Sequence, residues 1–193
     1  IDNIRFLQQR MQRPAVMDQE HLEEGKYLLL TLNRKAIVNN IEEMKKLIST
    51  IDGVARKAGI KVLAPLRGKA LGFVLAFKAY QDVADHQSGI MVVQPQGYLD
   101  FSYLAAHAMG VITDSGNVAE EATFNGVPCI TLNSYTEHQE TVTVGTNELV
   151  AEDPEKLQLA MEKIVKGEWK KAGIPDRWDG RSAERIVQII CGE

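Results

Sequence analysis

Short apolar runs alternating with amphipathic stretches constrain this chain more than any single motif. The apolar runs fall at 27–32, 61–64, 90–94, 110–113, 129–132 and 146–150, each bounded by Gly, Pro, Asn or charged residues. Runs this short suit buried strands and are too brief for helices. Between them the period changes. Ile41, Met44, Leu47, Ile48, Ile51 and Val54 recur at helical spacing, with Glu42, Glu43, Lys45 and Lys46 on the opposite face. Further helical patterns cover 71–80, 98–108 and 117–125. Asp153-Pro154 starts another, with Asp as N-cap and Pro in the first turn, and Gly167 ends it. Ala183, Ile186, Val187 and Ile190 mark a last helix, and 1–11 reads as a leading one. Strands alternating with helices at this spacing predict an α/β fold, a doubly wound parallel sheet of Rossmann-like type.

In such sheets ligands lie outside the carboxyl ends of the strands. The polar motifs collect there: Asn33-Arg34 after the first strand, Arg67-Gly68-Lys69 after the second, Gly97 to Phe101 after the third, Asp114 to Asn117 after the fourth, and Ser134 to Glu140 after the fifth. The fourth is the most informative. Thr113-Asp114-Ser115-Gly116-Asn117 links an apolar strand to a helix, a geometry that offers unpaired N–H groups and the positive end of a helix dipole to a phosphate. Glu121 lies about two turns on, where its carboxylate can accept from the two hydroxyls of a ribose. The same residues also fit a plain capped helix, with Ser115 or Asp114 as N-cap and two solvated glutamates.

Composition narrows the class. At 193 residues, 45% hydrophobic and 25% charged, the chain suits one soluble globular domain, and a net charge of −4 argues against nucleic-acid binding. No apolar run reaches the roughly 18 residues of a membrane span, and no signal peptide is visible, so the expected location is the cytoplasm. Two cysteines, Cys129 and Cys191, make no disulfide framework. No His/Cys/Asp cluster has ligand spacing, so neither a metal nor another cofactor is implied.

The ordered series Pro95-Gln96-Gly97-Tyr98-Leu99-Asp100-Phe101, His107-Ala108, the Ser115 turn, Gly126-Val127-Pro128, Thr136-Glu137-His138-Gln139-Glu140 and Gly145-Thr146-Asn147 resembles the carboxyl-terminal half of the UDP-N-acetylglucosamine 2-epimerases of the non-hydrolysing type. Asp179 to Ile186 resembles the closing helix of that family. The resemblance implies the second domain of a two-domain glycosyltransferase-B-type fold, with residues 1–25 as a leading helix and interdomain segment and 26–193 as the nucleotide-binding domain. It implies isomerase chemistry, in which UDP-N-acetylglucosamine and UDP-N-acetylmannosamine interconvert by UDP elimination and re-addition. It further implies that an amino-terminal domain carrying the main acid/base groups is absent from this chain. The isolated domain is then expected to be inactive. A homodimer is compatible with the family.

Carried over by position, Ser115, Gly116 and Asn117 match the diphosphate turn, Glu121 the ribose-binding glutamate and Phe101 an aromatic beside the uracil. Phe101 fits a core position equally well, and Tyr98 and His107 read as structural. Arg67, Glu137 and His138 match the loops about the sugar and diphosphate, and Asn33, Arg34 and His138 the catalytic loop positions. The departures from the family pattern cluster in one cleft. Asn33 stands where the family has His, Ala36 and Ile37 where it has Glu-Asn, Asn117 where it has Gly, and His138 where it has Arg. An amide cannot shuttle a proton as imidazole does, and a histidine lacks the fixed bidentate charge of arginine. A silent nucleotide-sugar-binding relative and a glycosyltransferase of the same shape are therefore alternative readings. His21 and His86 carry no signal.

Overall fold

The computed structural model describes residues 1–83 and 87–192, so His86 lies outside the described residues. The chain opens with a helix α1 (Asp2–Leu7), a 3-10 turn at Gln8–Arg10 and a short α2 (Ala15–Gln19) before strand β1 (Tyr27–Leu30). There follow α3 (Lys35–Val38), α4 (Ile41–Ala58), β2 (Lys61–Ala64), α5 (Gly68–Val83), β3 (Ile90–Val92), α6 (Tyr98–Ala106), β4 (Gly110–Thr113) and α7 (Gly116–Phe124). The remainder is β5 (Cys129–Thr131), α8 (Gln139–Thr143), β6 (Asn147–Leu149), α9 (Pro154–Val165) and α10 (Ser182–Cys191). The strands form one sheet in the order β3-β2-β1-β4-β5-β6, and every pairing is parallel. This is the doubly wound arrangement expected from the sequence. The order reverses between β1 and β4, which pair through Leu28 with Gly110 and Leu30 with Ile112.

Because successive strand residues point to opposite faces, a strand covered on both sides must be apolar throughout. β1 does this with four fully buried residues. Leu28 and Leu30 join Ile112 and Ile130 under α4 and α9, against Met44, Leu47, Ile51, Leu157 and Met161. Tyr27 and Leu29 join Val111 and Cys129 under α6 and α7, against Leu104, Ala105, Ala119 and Ala122. Val16, Met17 and Leu22, within the leading segment, are buried in this second layer.

Local chemistry sets the helix limits. The Asn40 side chain accepts from the Glu43 N–H at the start of α4, Glu42 and Glu43 sit in the first turn, and Arg56 and Lys57 sit in the last. Gly59, at φ +66°, ends the helix in the left-handed region that glycine tolerates best. Asp153 caps α9 by accepting from the N–H groups of Glu155 and Lys156, with Pro154 in the first turn. The short helices α2, α3 and α8 give no periodic signal in the sequence, because five residues or fewer span barely one turn.

Candidate functional site

At the carboxyl end of the sheet a hydroxyl pair bridges the two strands that flank the reversal of strand order, with Thr31 Oγ1 2.7 Å from Thr113 Oγ1. One residue beyond, the Asp114 carboxylate turns away from its own helix. Its Oδ2 accepts from the backbone N–H groups of Asn33 and Arg34, both at 2.6 Å. The Arg34 guanidinium in turn donates from Nη1 to Asn133 Oδ1 at 2.6 Å and lies over the Tyr135 ring. Asn133 Nδ2 donates back to the Asp114 carbonyl at 3.2 Å. The loops after β1, β4 and β5 are thereby tied into one unit.

With Asp114 engaged elsewhere, α7 starts without a side-chain cap. Ser115 occupies the N-cap position and makes no capping bond, and its N–H donates to Thr113 Oγ1 at 3.0 Å. The first intrahelical bond runs from the Ala119 N–H to the Ser115 carbonyl. The N–H groups of Gly116, Asn117 and Val118 therefore find no acceptor among the described residues, and the positive end of the helix is unneutralised. Of the two alternatives read from the sequence, the plain side-chain-capped helix is absent at this turn.

The turn opens on a cavity of 390 Å³ whose walls include Asn33, Arg67, Tyr98, Phe101, Asp114, Ser115 and Val118. Asn33 and Arg67 are exposed there, and Phe101 is partly buried against the second core layer. Val118 and Glu121 are three residues apart and share a face of α7. The Tyr98 phenol, from the start of α6, is a near neighbour of the Glu121 carboxylate. Glu121 is half-buried, and desolvation raises its pKa above the usual carboxylate value. Burial likewise raises the Tyr98 phenol, and the neighbouring Glu121 carboxylate adds to the shift.

His138 reaches the same turn from the loop after β5. Its Nδ1 lies 3.0 Å from Glu120 Oε1, and its ring edge packs on Gly116, where a Cβ would sit 3.2 Å from Cδ2 and 3.6 Å from Nε2. Glu137, next to it, is exposed. The structure thus gathers Asn33, Arg67, Phe101 and Ser115 about one cavity, with Gly116, Asn117 and Glu121 on the helix that Ser115 starts and His138 packed on Gly116. Arg34 is part of the loop tie. His107 is not drawn in: its Nδ1 bonds the Tyr103 carbonyl at 2.8 Å and its ring stacks on Tyr103. Four contacts carry no local sequence signature: Asp114 as a tie between loops, Asn133 as its partner, Tyr135 as a partner of Arg34, and Glu120 as a partner of His138. Asp114, Asn133 and Tyr135 fall in loops that follow strands on one edge of the sheet, whereas Glu120 lies within α7.

Among the described residues no group of three or more His, Cys, Asp or Glu side chains is placed to hold a metal ion, and no helix is long and apolar enough to cross a membrane.

The model of the UDP-N-acetylglucosamine 2-epimerase family matches residues 1–191. The chain belongs to this family. Among its relatives, a UDP-N-acetylglucosamine 2-epimerase of Methanococcus maripaludis is 34% identical over 170 residues, covering 87% of this chain and 45% of that protein. The Methanocaldococcus jannaschii enzyme is 36% identical over 166 residues, covering 85% and 44%. A solved structure of UDP-GlcNAc 2-epimerase from M. jannaschii superposes with a TM-score of 0.76 at 32% identity, covering 92% of this chain and 49% of that one. The M. jannaschii epimerase has also been solved in complex with UDP-GlcNAc and UDP, and it matches with a TM-score of 0.71 at 34% identity, covering 86% and 45%. The chain spans about half the length of the curated relatives it matches. Its Rossmann-like domain is thus one half of the glycosyltransferase-B-type architecture of those epimerases.

Proposed function

We propose that this chain is the nucleotide-binding half of a UDP-N-acetylglucosamine 2-epimerase. In this reading the free amides at the start of α7 take the diphosphate and Glu121 accepts from the ribose hydroxyls. Phe101 lies beside the uracil, and Arg67, Glu137 and His138 bound the diphosphate and sugar. The observation that carries the reading is the uncapped start of α7 opening on a cavity at the strand-order reversal, with the half-buried Glu121 carboxylate on the same helix, one turn beyond the cavity-lining Val118. A half-buried glutamate without enough donors suits a ligand that brings hydroxyl groups. The M. jannaschii relative solved with UDP-GlcNAc and UDP supports the choice of ligand.

The chemistry this half supplies is retention. Eliminating UDP and adding it back requires a grip that holds the leaving group while the proton at C2 is exchanged. Amides and a helix dipole stabilise the negative charge that develops on the departing diphosphate. The principal proton-transfer groups belong to a companion domain, consistent with relatives about twice as long. The exposed Ile186, Val187, Ile189 and Ile190 of α10 are suited to a contact with it. Asn33 and Arg34 face the sugar from the loop after β1, the former as a neutral hydrogen-bonding group.

Calorimetric titration with UDP, UDP-N-acetylglucosamine and UMP tests the site. Binding of both diphosphates, little binding of UMP, and loss of both in Glu121→Ala are expected. Equal indifference to all three removes the site. A catalytically silent relative is the second reading, favoured by Asn33 at a position where an amide cannot carry a proton, and by Ile37, which is fully buried in the core rather than facing the cavity. Deuterium entry at C2 in heavy water, with the full-length protein, separates the two readings.

A further inference from the structure

The Glu120–His138 pair has no part in the fold's core, yet it is held from both ends. On one side His138 Nδ1 meets the Glu120 carboxylate of α7, so Nδ1 carries the proton and Nε2 is left at the ring edge lying over Gly116. On the other side a buried chain of polar groups fixes the backbone of His138. Thr131 Oγ1 donates to Asn147 Oδ1 at 2.7 Å, Asn147 Nδ2 donates to Thr141 Oγ1 at 3.1 Å, and Thr141 Oγ1 donates to the His138 carbonyl at 2.7 Å. The ring therefore sits beside the free amides of α7. Its position depends on Gly116, since any side chain there would press on the imidazole.

We propose that Glu120 positions His138 as a proton-gated donor to the diphosphate, so that the nucleotide grip tightens when the imidazole is charged. The proposal rests on the diphosphate reading of the α7 turn. Protonation adds an N–H at Nε2, the one ring position not occupied by Glu120, and converts a neutral edge into a charge-assisted donor. The charged groups on the elements around the ring are few. Glu120 faces it from α7. Glu137 and Glu140 flank it on its own segment, and Asp114 lies at the end of β4, engaged with the β1 loop. Arg34 is bonded to Asn133 and Tyr135 of the same loop, and Lys170 is bonded to the Val142 carbonyl at the far end of α8 and to the Asn147 carbonyl.

UDP-N-acetylglucosamine is the suitable probe, because its diphosphate is a diester whose charge is constant between pH 6.0 and 8.5. Calorimetry with the wild-type chain should show affinity rising roughly tenfold or more as pH falls across that range, the scale of one charge-assisted hydrogen bond. His138→Arg should bind at every pH without that slope, and His138→Gln should bind weakly without it. Glu120→Gln should flatten the slope, because the ring loses the carboxylate that holds it over the turn. A wild-type chain that binds with no slope, or a slope that persists in His138→Gln, overturns the proposal and leaves the diphosphate site standing. No binding at any pH removes the site and the proposal together.

Discussion

Replacing Asp114 by alanine removes the acceptor that ties the β1 loop to the β4 loop. Asp114 is 8% exposed, and its Oδ2 takes two backbone N–H groups at 2.6 Å. A hydrogen bond to a charged group contributes about 1.5–3 kcal/mol net. Two give about 3–6 kcal/mol in a closed site, and water reaching the exposed Asn33 side lowers this to about 2–4 kcal/mol. Against a total of about 5–15 kcal/mol for a domain of this kind, that is a large fraction. Asp114→Asn keeps one acceptor oxygen without the charge and should lose about 1–2 kcal/mol. Urea unfolding followed by Trp169 and Trp178 fluorescence measures both, with the slope against denaturant unchanged. Asp114→Ala should also weaken UDP-N-acetylglucosamine binding, because Asp114 forms part of the cavity wall and its release lets the Asn33 loop drift. An alanine variant within 0.5 kcal/mol of wild type would mean the paired N–H groups find water equally well, and the tie would not be what holds the loops.

Gly145→Ala should destabilise by about 1–3 kcal/mol or more, since a Cβ there would approach Thr123 Oγ1 to 2.6 Å and the Thr141 carbonyl to 2.7 Å; thermal unfolding measures it. Glu121→Gln should stabilise the unliganded chain at pH 7 while weakening diphosphate-nucleoside binding. The raised pKa of Glu121 makes its contribution greatest below the unfolded value and lost as pH rises through the folded one, so the stability gain should vanish toward pH 4. A variant less stable than wild type at pH 7 would contradict the desolvation. Asp179, gripped by both Arg185 nitrogens at 2.9 and 2.5 Å, is held down to about 2 from its usual 3.8. Its stabilising effect is therefore present above pH 4 and lost as pH falls toward 2. Carbon NMR of the Asp179 carboxylate should give a midpoint near 2, returning toward 3.8 in Arg185→Gln.

The sheet was legible because its signal is local. A strand buried on both faces must be apolar at every position, and Tyr27 to Leu30 announces itself in four letters. Boundaries were less so. Leu32 is apolar and buried at 3% exposure, yet lies beyond the end of β1, because burial alone does not distinguish a strand residue from a loop residue packed on the core. The site divides the same way. Ser115, Gly116 and Glu121 stood out as a unit because strand, turn and helix lie consecutively in the chain. The Asp114 tie spans 81 residues to Asn33, Arg34 reaches 99 residues to Asn133, and His138 meets Glu120 only when the β5 loop folds over α7. Asp114 read as a helix cap because Asp just before a helix usually is one. Here the acceptor is spent across the sheet, and the helix it would have capped is left with free amides. The departure from the local rule leaves the turn open: a side chain that satisfied its own helix would have filled the place proposed for the diphosphate.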